Sequence, residues 1–242
     1  MSVKFIDEID VAGKKVFVRA DFNVPLDENC TITNDNRIKA TIPTLKHILD
    51  NGGAVIAASH LGRPKGQPVP AMSLKPVAAR LAELLGIEVQ FADDCIGDEA
   101  DTKKAALQPG QVRLLENLRY YGQETKNDAD FAARLGTYAD VFISDAFAVS
   151  HRAHASVEAI TRVVPVCAAG YLMKKEIQSF ESAMTAPARP LVAVVGGAKV
   201  SGKLEVLENL ISKVDAVIIG GGMMFTFLKA QGKEVGKSLV EE

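Results

Sequence analysis

Short apolar runs rich in Val, Ile and Ala alternate along this chain with longer stretches in which apolar residues recur every three or four positions. The runs at 16–18, 54–58, 88–91, 112–115, 141–144, 191–195 and 216–219 predict strands. Between them, Ile38, Ile42, Leu45 and Leu49 share one helical face, as do Val77, Leu81, Leu84 and Leu85. Further helices are predicted over 128–135, 172–183, 204–211 and 223–230. The strands are too continuously apolar to have a wet face, so both faces must be covered. Repeated strand–helix alternation then implies a parallel sheet with helices on both faces, a Rossmann-like three-layer α/β fold.

The segment 170–190 breaks the rhythm. A helical stretch lies there between Gly170 and the turn-rich cluster TAPARP (185–190), which reads as a linker helix between two α/β units. Only two strand–helix units fit after Pro190, and a parallel sheet of two strands is too small to stand alone. The expected organisation is a first domain over 1–169, a linker helix over 170–187 and an incomplete second domain over 188–242.

Arg and His fall at the ends of the predicted strands. VFVRADFN (16–23), AVIAASHLGR (54–63), VRLLENLR (112–119) and VFISDAFAVSHRAH (141–154) each leave an apolar run and then offer a cation or an imidazole. The carboxyl ends of parallel strands share one edge, so these segments can surround one ligand, and several cations there suit a small polyanion. His60 and Arg63 share a tight Gly/Pro loop in which a guanidinium fork would grip a phosphate. Asp21 and Asn23 suit the hydroxyls of a small substrate, but Asx residues are common turn formers before a proline such as Pro25, and on this segment alone the turn reading is the stronger. Arg37 sits at the start of a helix, where a cation opposes the macrodipole; a site requiring positive charge explains it, and so does a solvated surface position.

Composition narrows the classes. The 242-residue chain is 48% hydrophobic and 24% charged, as a globular protein is, and its formal net charge of −2 disfavours a general nucleic-acid or acidic-membrane binder. Cys30, Cys95 and Cys167 lack zinc or disulfide spacing and read as free thiols of a reducing compartment. The N-terminus lacks a secretory pattern, and the longest apolar stretch, 163–173, is too short to span a bilayer. A cytoplasmic protein is expected. HRAH (151–154) has two His three apart, but no completing carboxylate or zinc spacing, so anion binding through Arg152 is preferred and no metal ligand is assigned. His47, Met223 and Met224 read as structural.

A different signal lies in LVAVVGGAKVSGK (191–203). Glycines after a strand let backbone N–H groups approach phosphates, and Lys199 and Lys203, four apart, are expected on one helical face. Gly197 to Lys203 also fits the start of a P-loop, yet Leu204 stands where that motif needs Ser or Thr for magnesium. In IIGGGM (218–223), Gly220 and Gly221 follow a strand, where a flat base could lie on bare backbone.

Taken in order, VRADFNVP, SHLGRPKG, LLENLRYY, SDAF with HRAHAS, VVGGAKVSGK and IIGGGMMFTFLKAQG resemble the phosphoglycerate kinase family. The resemblance implies a two-domain α/β kinase, expected to be a monomer, that transfers a phosphoryl group reversibly between 1,3-bisphosphoglycerate and ADP, giving 3-phosphoglycerate and ATP with magnesium. It implies that Asp21, Asn23, Arg37, His60, Arg63, Arg119 and Arg152 form the glycerate site. Lys199 and Lys203 would meet nucleotide phosphates, Gly220 and Gly221 would flank the adenine, and Arg37 and Lys199 would stabilise the phosphoryl group in flight. The sequence departs from many members at Ala148, Val149 and Ser150, where they have Gly-Thr-Ala, and it ends at Glu242, where they continue. A fragment is therefore expected, with the acidic magnesium ligand beyond it and glycerate binding better preserved than catalysis. Two rivals remain open at this stage: a P-loop NTPase using Gly197 to Lys203, and a non-enzymatic sugar-phosphate binding module.

Overall fold

The computed structural model describes residues 3–185 and 187–241. Its elements run β1 (Lys15–Ala20), α1 (Asn36–Asp50), β2 (Ala54–Ala58), α2 (Lys75–Leu85), β3 (Val89–Ala92), α3 (Asp98–Ala105), β4 (Val112–Leu115), α4 (Gly122–Thr125), α5 (Ala129–Gly136), β5 (Val141–Asp145), β6 (Val166–Ala169), α6 (Tyr171–Thr185), β7 (Val192–Gly196), α7 (Leu204–Ile211), β8 (Ala216–Gly220) and α8 (Met223–Ala230). The chain divides into two compact units, Met1–Ile177 and Gln178–Glu242.

In the first unit six parallel strands lie in the order β3-β4-β2-β1-β5-β6. Successive side chains of each strand point to opposite faces, so one apolar run feeds two cores. Val16, Val18, Val55, Ala57, Leu114 and Ile143 pack with Ile38, Leu45 and Ile48 of α1 and Val77 and Leu81 of α2. Phe17, Ile56, Ala58, Leu115 and Phe142 pack on the other face with Phe131 and Leu135 of α5 and with Ile160 and Val164. Each large side chain so buried contributes about 1.5–3 kcal/mol by leaving water.

Three elements were not expected: β6, α3 and the four-residue α4. β6 pairs with β5 from Val141↔Val166 to Ser144↔Ala169 and lies inside the apolar stretch 163–173, where Pro165 and Gly170 bound only four residues, too short a run to stand out as a strand. α3 has almost no apolar face; Ala100 and Lys104 are its only buried residues, and acids in its first turn and lysines in its last suit the macrodipole instead.

α6 begins hard against the sheet. Asp145, the last residue of β5, accepts from the Leu172 and Met173 N–H groups at 2.9 and 3.4 Å, and Thr44 Oγ1 accepts from Tyr171 N–H at 2.9 Å. His47, read as structural, meets the Tyr171 hydroxyl at 3.0 Å through Nδ1.

The second unit has a parallel pair, β7 and β8, in register from Val192↔Ala216 to Gly196↔Gly220. Val200, Leu207 and Met223 form its small core, joined by Val195, Val217, Ile219 and Phe227. Val192, Val194 and Ile218 remain exposed. Among the described residues no helix is long and apolar enough to cross a membrane.

Candidate functional site

The four segments singled out by their cations follow β4, β2, β1 and β5, which are contiguous in the sheet. This is where the strand order reverses, the crevice in which open α/β sheets bind ligands. Side chains brace the loops that meet there. Asn23 Oδ1 accepts from Gly62 N–H at 2.8 Å, Asn117 Nδ2 donates to the carbonyls of Leu61 and Met72 at 2.7 and 2.9 Å, and Ser59 Oγ accepts from Phe22 N–H at 2.8 Å. Gly62 takes φ of +63°, and a Cβ there would lie 2.8 Å from Met72 Sδ, so the turn admits little else.

Arg63, Lys65, Arg119, Lys126 and Arg152 line one cavity of about 780 Å³, with no carboxylate among its lining residues. Arg119 Nη1 donates to the Gly62 carbonyl at 2.9 Å, while its Nε is buried without a partner among the described residues. Burial, then the neighbouring Arg19 and Arg152, pull the Arg119 pKa below the usual guanidinium range. An oxyanion placed in the cavity would offset the repulsion among these guanidinium groups.

Asp21 and Arg37 pair instead with each other, Arg37 Nη1 lying 2.5 Å from Asp21 Oδ2. Together they line a second cavity of about 310 Å³ that also touches Phe147, Ala148 and Leu172. The cation at the start of α1 thus has a local counter-charge. The departure at 148–150 lies at this cavity, with Ala148 on its wall and Val149 buried.

His60 is 4% exposed and sits above fully buried Arg19, whose Nη2 lies 3.2 Å from His60 Nδ1. Burial first, then Arg19, Arg119, Arg37 and His154, drive the His60 pKa down to about 2, so the ring is neutral. Arg19 Nε donates to Ser156 Oγ at 2.8 Å, and Ser156 gives its hydroxyl and N–H to the buried Glu124 carboxylate at 2.7 and 3.0 Å. Arg19, Glu124 and Ser156 carried no assigned role in the sequence. An arginine inside the apolar run VFVRA was the available signal. Lys65 and Lys126 were also missed, although Lys65 lies within SHLGRPKG.

HRAH does not converge as a metal site. His151 is exposed and accepts from Arg152 Nε at 3.1 Å, whereas His154 is buried with its Nδ1 3.8 Å from Glu124 Oε1. Among the described residues no three His, Cys, Asp or Glu side chains cluster in a way that would hold a metal.

In the second unit the glycine turn after β7 is close-packed. Gly221 has φ of +71°, and a Cβ on it would lie 2.8 Å from the Gly197 carbonyl oxygen. A Cβ on Gly197 would lie 2.7 Å from Lys203 Nζ, so the ammonium hangs directly over bare backbone. That arrangement fits a phosphate-bearing nucleotide. Lys199 and Lys203 do not share a helical face as expected: Lys199 precedes the single 3-10 turn Ser201–Lys203, and Lys203 is the cap before α7. Glu241 accepts from Val200 and Ser201 N–H at 2.7 and 2.8 Å and from the Ser201 hydroxyl. The P-loop alternative finds no hydroxyl at Leu204, and that of Ser201 is engaged with Glu241. Gly220 ends β8 opposite Gly196.

An open parallel sheet with a cationic cavity, free of carboxylates in its lining, at its carboxyl edge has the chemistry to take a small polyanion, and the other unit carries a close-packed glycine turn beneath Lys203. The family profile described as Phosphoglycerate kinase matches residues 6–242, and the chain belongs to that family. A phosphoglycerate kinase of Geobacter metallireducens is 63% identical over 243 positions, covering 100% of this chain and 61% of the relative. A wheat protein named "Phosphoglycerate kinase, cytosolic" is 56% identical and is covered over 60% of its length. The solved phosphoglycerate kinase of Coxiella burnetii superposes with a TM-score of 0.88 at 40% identity, over all of this chain and 60% of that one. The chain thus spans about 61% of the length of the curated relatives it matches.

Proposed function

We propose that the protein transfers a phosphoryl group reversibly between 1,3-bisphosphoglycerate and ADP, giving 3-phosphoglycerate and ATP. Within that reading, 1–169 is the glycerate domain, 170–187 the linker helix and 188–242 the start of the nucleotide domain. The observation that carries it is the single cavity bearing Arg63, Arg119 and Arg152 at the carboxyl edge of the sheet. It has room for a phosphorylated three-carbon acid, and its charge has one sign in a protein whose net charge is −2.

These arginines would hold the substrate phosphate through forked hydrogen bonds. Asp21 and Asn23 would orient the hydroxyl and carboxylate end, with Arg37 released from Asp21 to meet the reacting carboxylate. Lys199 and Lys203 would bind nucleotide phosphates, Gly220 and Gly221 would accept the flat base, and Arg37 and Lys199 would neutralise the phosphoryl group in transit. Phosphoryl transfer needs alignment and charge neutralisation more than covalent participation. Magnesium would supply further neutralisation on the nucleotide phosphates, and no residue of this chain is assigned to it. We place the protein in the cytoplasm as a monomer, a setting that suits its three free cysteines.

A coupled assay of ATP formation, run on a chain of the relatives' length carrying these 242 residues, tests the reading. Turnover should depend on 1,3-bisphosphoglycerate and fall roughly a thousandfold in Arg37→Ala, the scale of a lost transition-state arginine. Asp21 is 7% exposed and would lose this partner, so unfolding free energy should fall by about 1–3 kcal/mol, less than the loss in transition-state stabilisation. ATP hydrolysis without the acid substrate, or unchanged turnover in the variant, would refute the assignment.

A further inference from the structure

A guanidinium has five N–H donors and no acceptor. With Arg19 Nη2 3.2 Å from His60 Nδ1, the imidazole can complete that contact only through an unprotonated Nδ1. Arg19 cannot turn away, because its Nε is bound to Ser156, its Nη1 to the Ala20 carbonyl, and Ser156 to Glu124, all of them deep in the unit. Among the described residues His60 Nε2 has no hydrogen-bond partner, and it is not among the buried polar atoms left unpaired, so it reaches solvent.

We propose that Arg19 is a positioning residue that locks His60 as the neutral Nε2–H tautomer, making the imidazole a fixed hydrogen-bond donor to the anionic substrate of this sheet edge. The inference rests on the glycerate reading of the site for its ligand, but not for the tautomer. A second proton on His60 would point an N–H at Arg19 and add charge beside Arg37 of α1, Arg119 after β4 and His154 after β5. Asp21 after β1 is already paired with Arg37, and Glu124 of α4 is held by Ser156, so neither acid is bound to the ring. The lock thus gives the site a donor that neither titrates through the neutral range nor offers a lone pair to repel an oxyanion.

The test uses the 242-residue protein with ¹⁵N-labelled histidines, of which it has four, and assigns His60 by its loss in His60→Gln. Long-range ¹H–¹⁵N spectra of the wild type without ligand, between pH 5 and 8, should show a proton on His60 Nε2 alone at every pH. Added 3-phosphoglycerate should shift the Nε2 signal. In Arg19→Met, checked for folding by circular dichroism, both tautomers should appear, with 3-phosphoglycerate affinity lowered about tenfold. A proton on Nδ1, or titration near the ordinary histidine pKa, in the wild type overturns the lock without any variant. Binding of 3-phosphoglycerate that leaves the Nε2 signal unmoved overturns the donor role. A locked ring with no binding at all overturns the glycerate reading instead.

Discussion

His60 illustrates what a cationic site costs the residues that build it. Its pKa falls from 6.5 to about 2 on folding, so between those values the unfolded chain binds a proton that the folded chain refuses. Stability therefore rises with pH across that window, and at pH 5 His60 alone costs about 2 kcal/mol relative to pH 7 or above. Asp145 acts in the opposite sense. Burial pushes its carboxyl up to about 6 from 3.8, so its contribution to stability falls as pH rises through that interval. Comparing urea unfolding of wild type and His60→Gln isolates the histidine, and the variant should lose about 2 kcal/mol less between pH 7 and pH 5. Parallel profiles would remove the burial effect assigned to this ring. Arg152 is the converse case, an exposed side chain with little to hold in the fold. Arg152→Ala should weaken 3-phosphoglycerate binding roughly 10- to 100-fold, as expected for a lost charge-assisted bond, with stability changed by no more than about 0.5 kcal/mol.

At the scale of elements, the close contacts that set the start of α6 and the glycine turn make sharp tests. A Cβ on Gly170 would lie 2.3 Å from Asp145 Oδ1, the atom that receives the Leu172 and Met173 N–H groups. Gly170→Ala should therefore lower unfolding free energy by about 1–3 kcal/mol, the usual cost of overpacking, measured by denaturant titration. Gly221→Ala combines a positive φ with a Cβ on the Gly197 backbone, and should weaken ADP binding at least tenfold in a direct titration if this turn receives the nucleotide. These contacts were not legible in the sequence, although the elements mostly were. β2 and β4 stood out because buried parallel strands are apolar on both faces, and α7 and α8 because their apolar positions keep helical spacing. β6 was hidden within a longer apolar stretch, and α3 by its lack of an apolar face. The site divides similarly. Arginines at strand ends were visible because the carboxyl edge is common to all the strands. Arg19 was not assigned, because its partner Ser156 is 137 residues away and only folding brings them together.

For the whole molecule, a net charge of −2 coexists with a cavity lined by Arg63, Lys65, Arg119, Lys126 and Arg152, so cations are concentrated at the sheet edge that the proposed function assigns to the polyanion and are balanced by acids elsewhere. That concentration makes binding electrostatic in part, so affinity should fall as salt shortens the screening length towards about 8 Å at physiological ionic strength. The most direct measurement is a calorimetric titration of 3-phosphoglycerate into the 242-residue protein and into Arg119→Ala, each at low and physiological salt. The expected result is saturable 1:1 binding that weakens with salt and drops at least tenfold in the variant. The absence of saturable binding, or binding indifferent to Arg119, would contradict the assignment of this edge as the glycerate site.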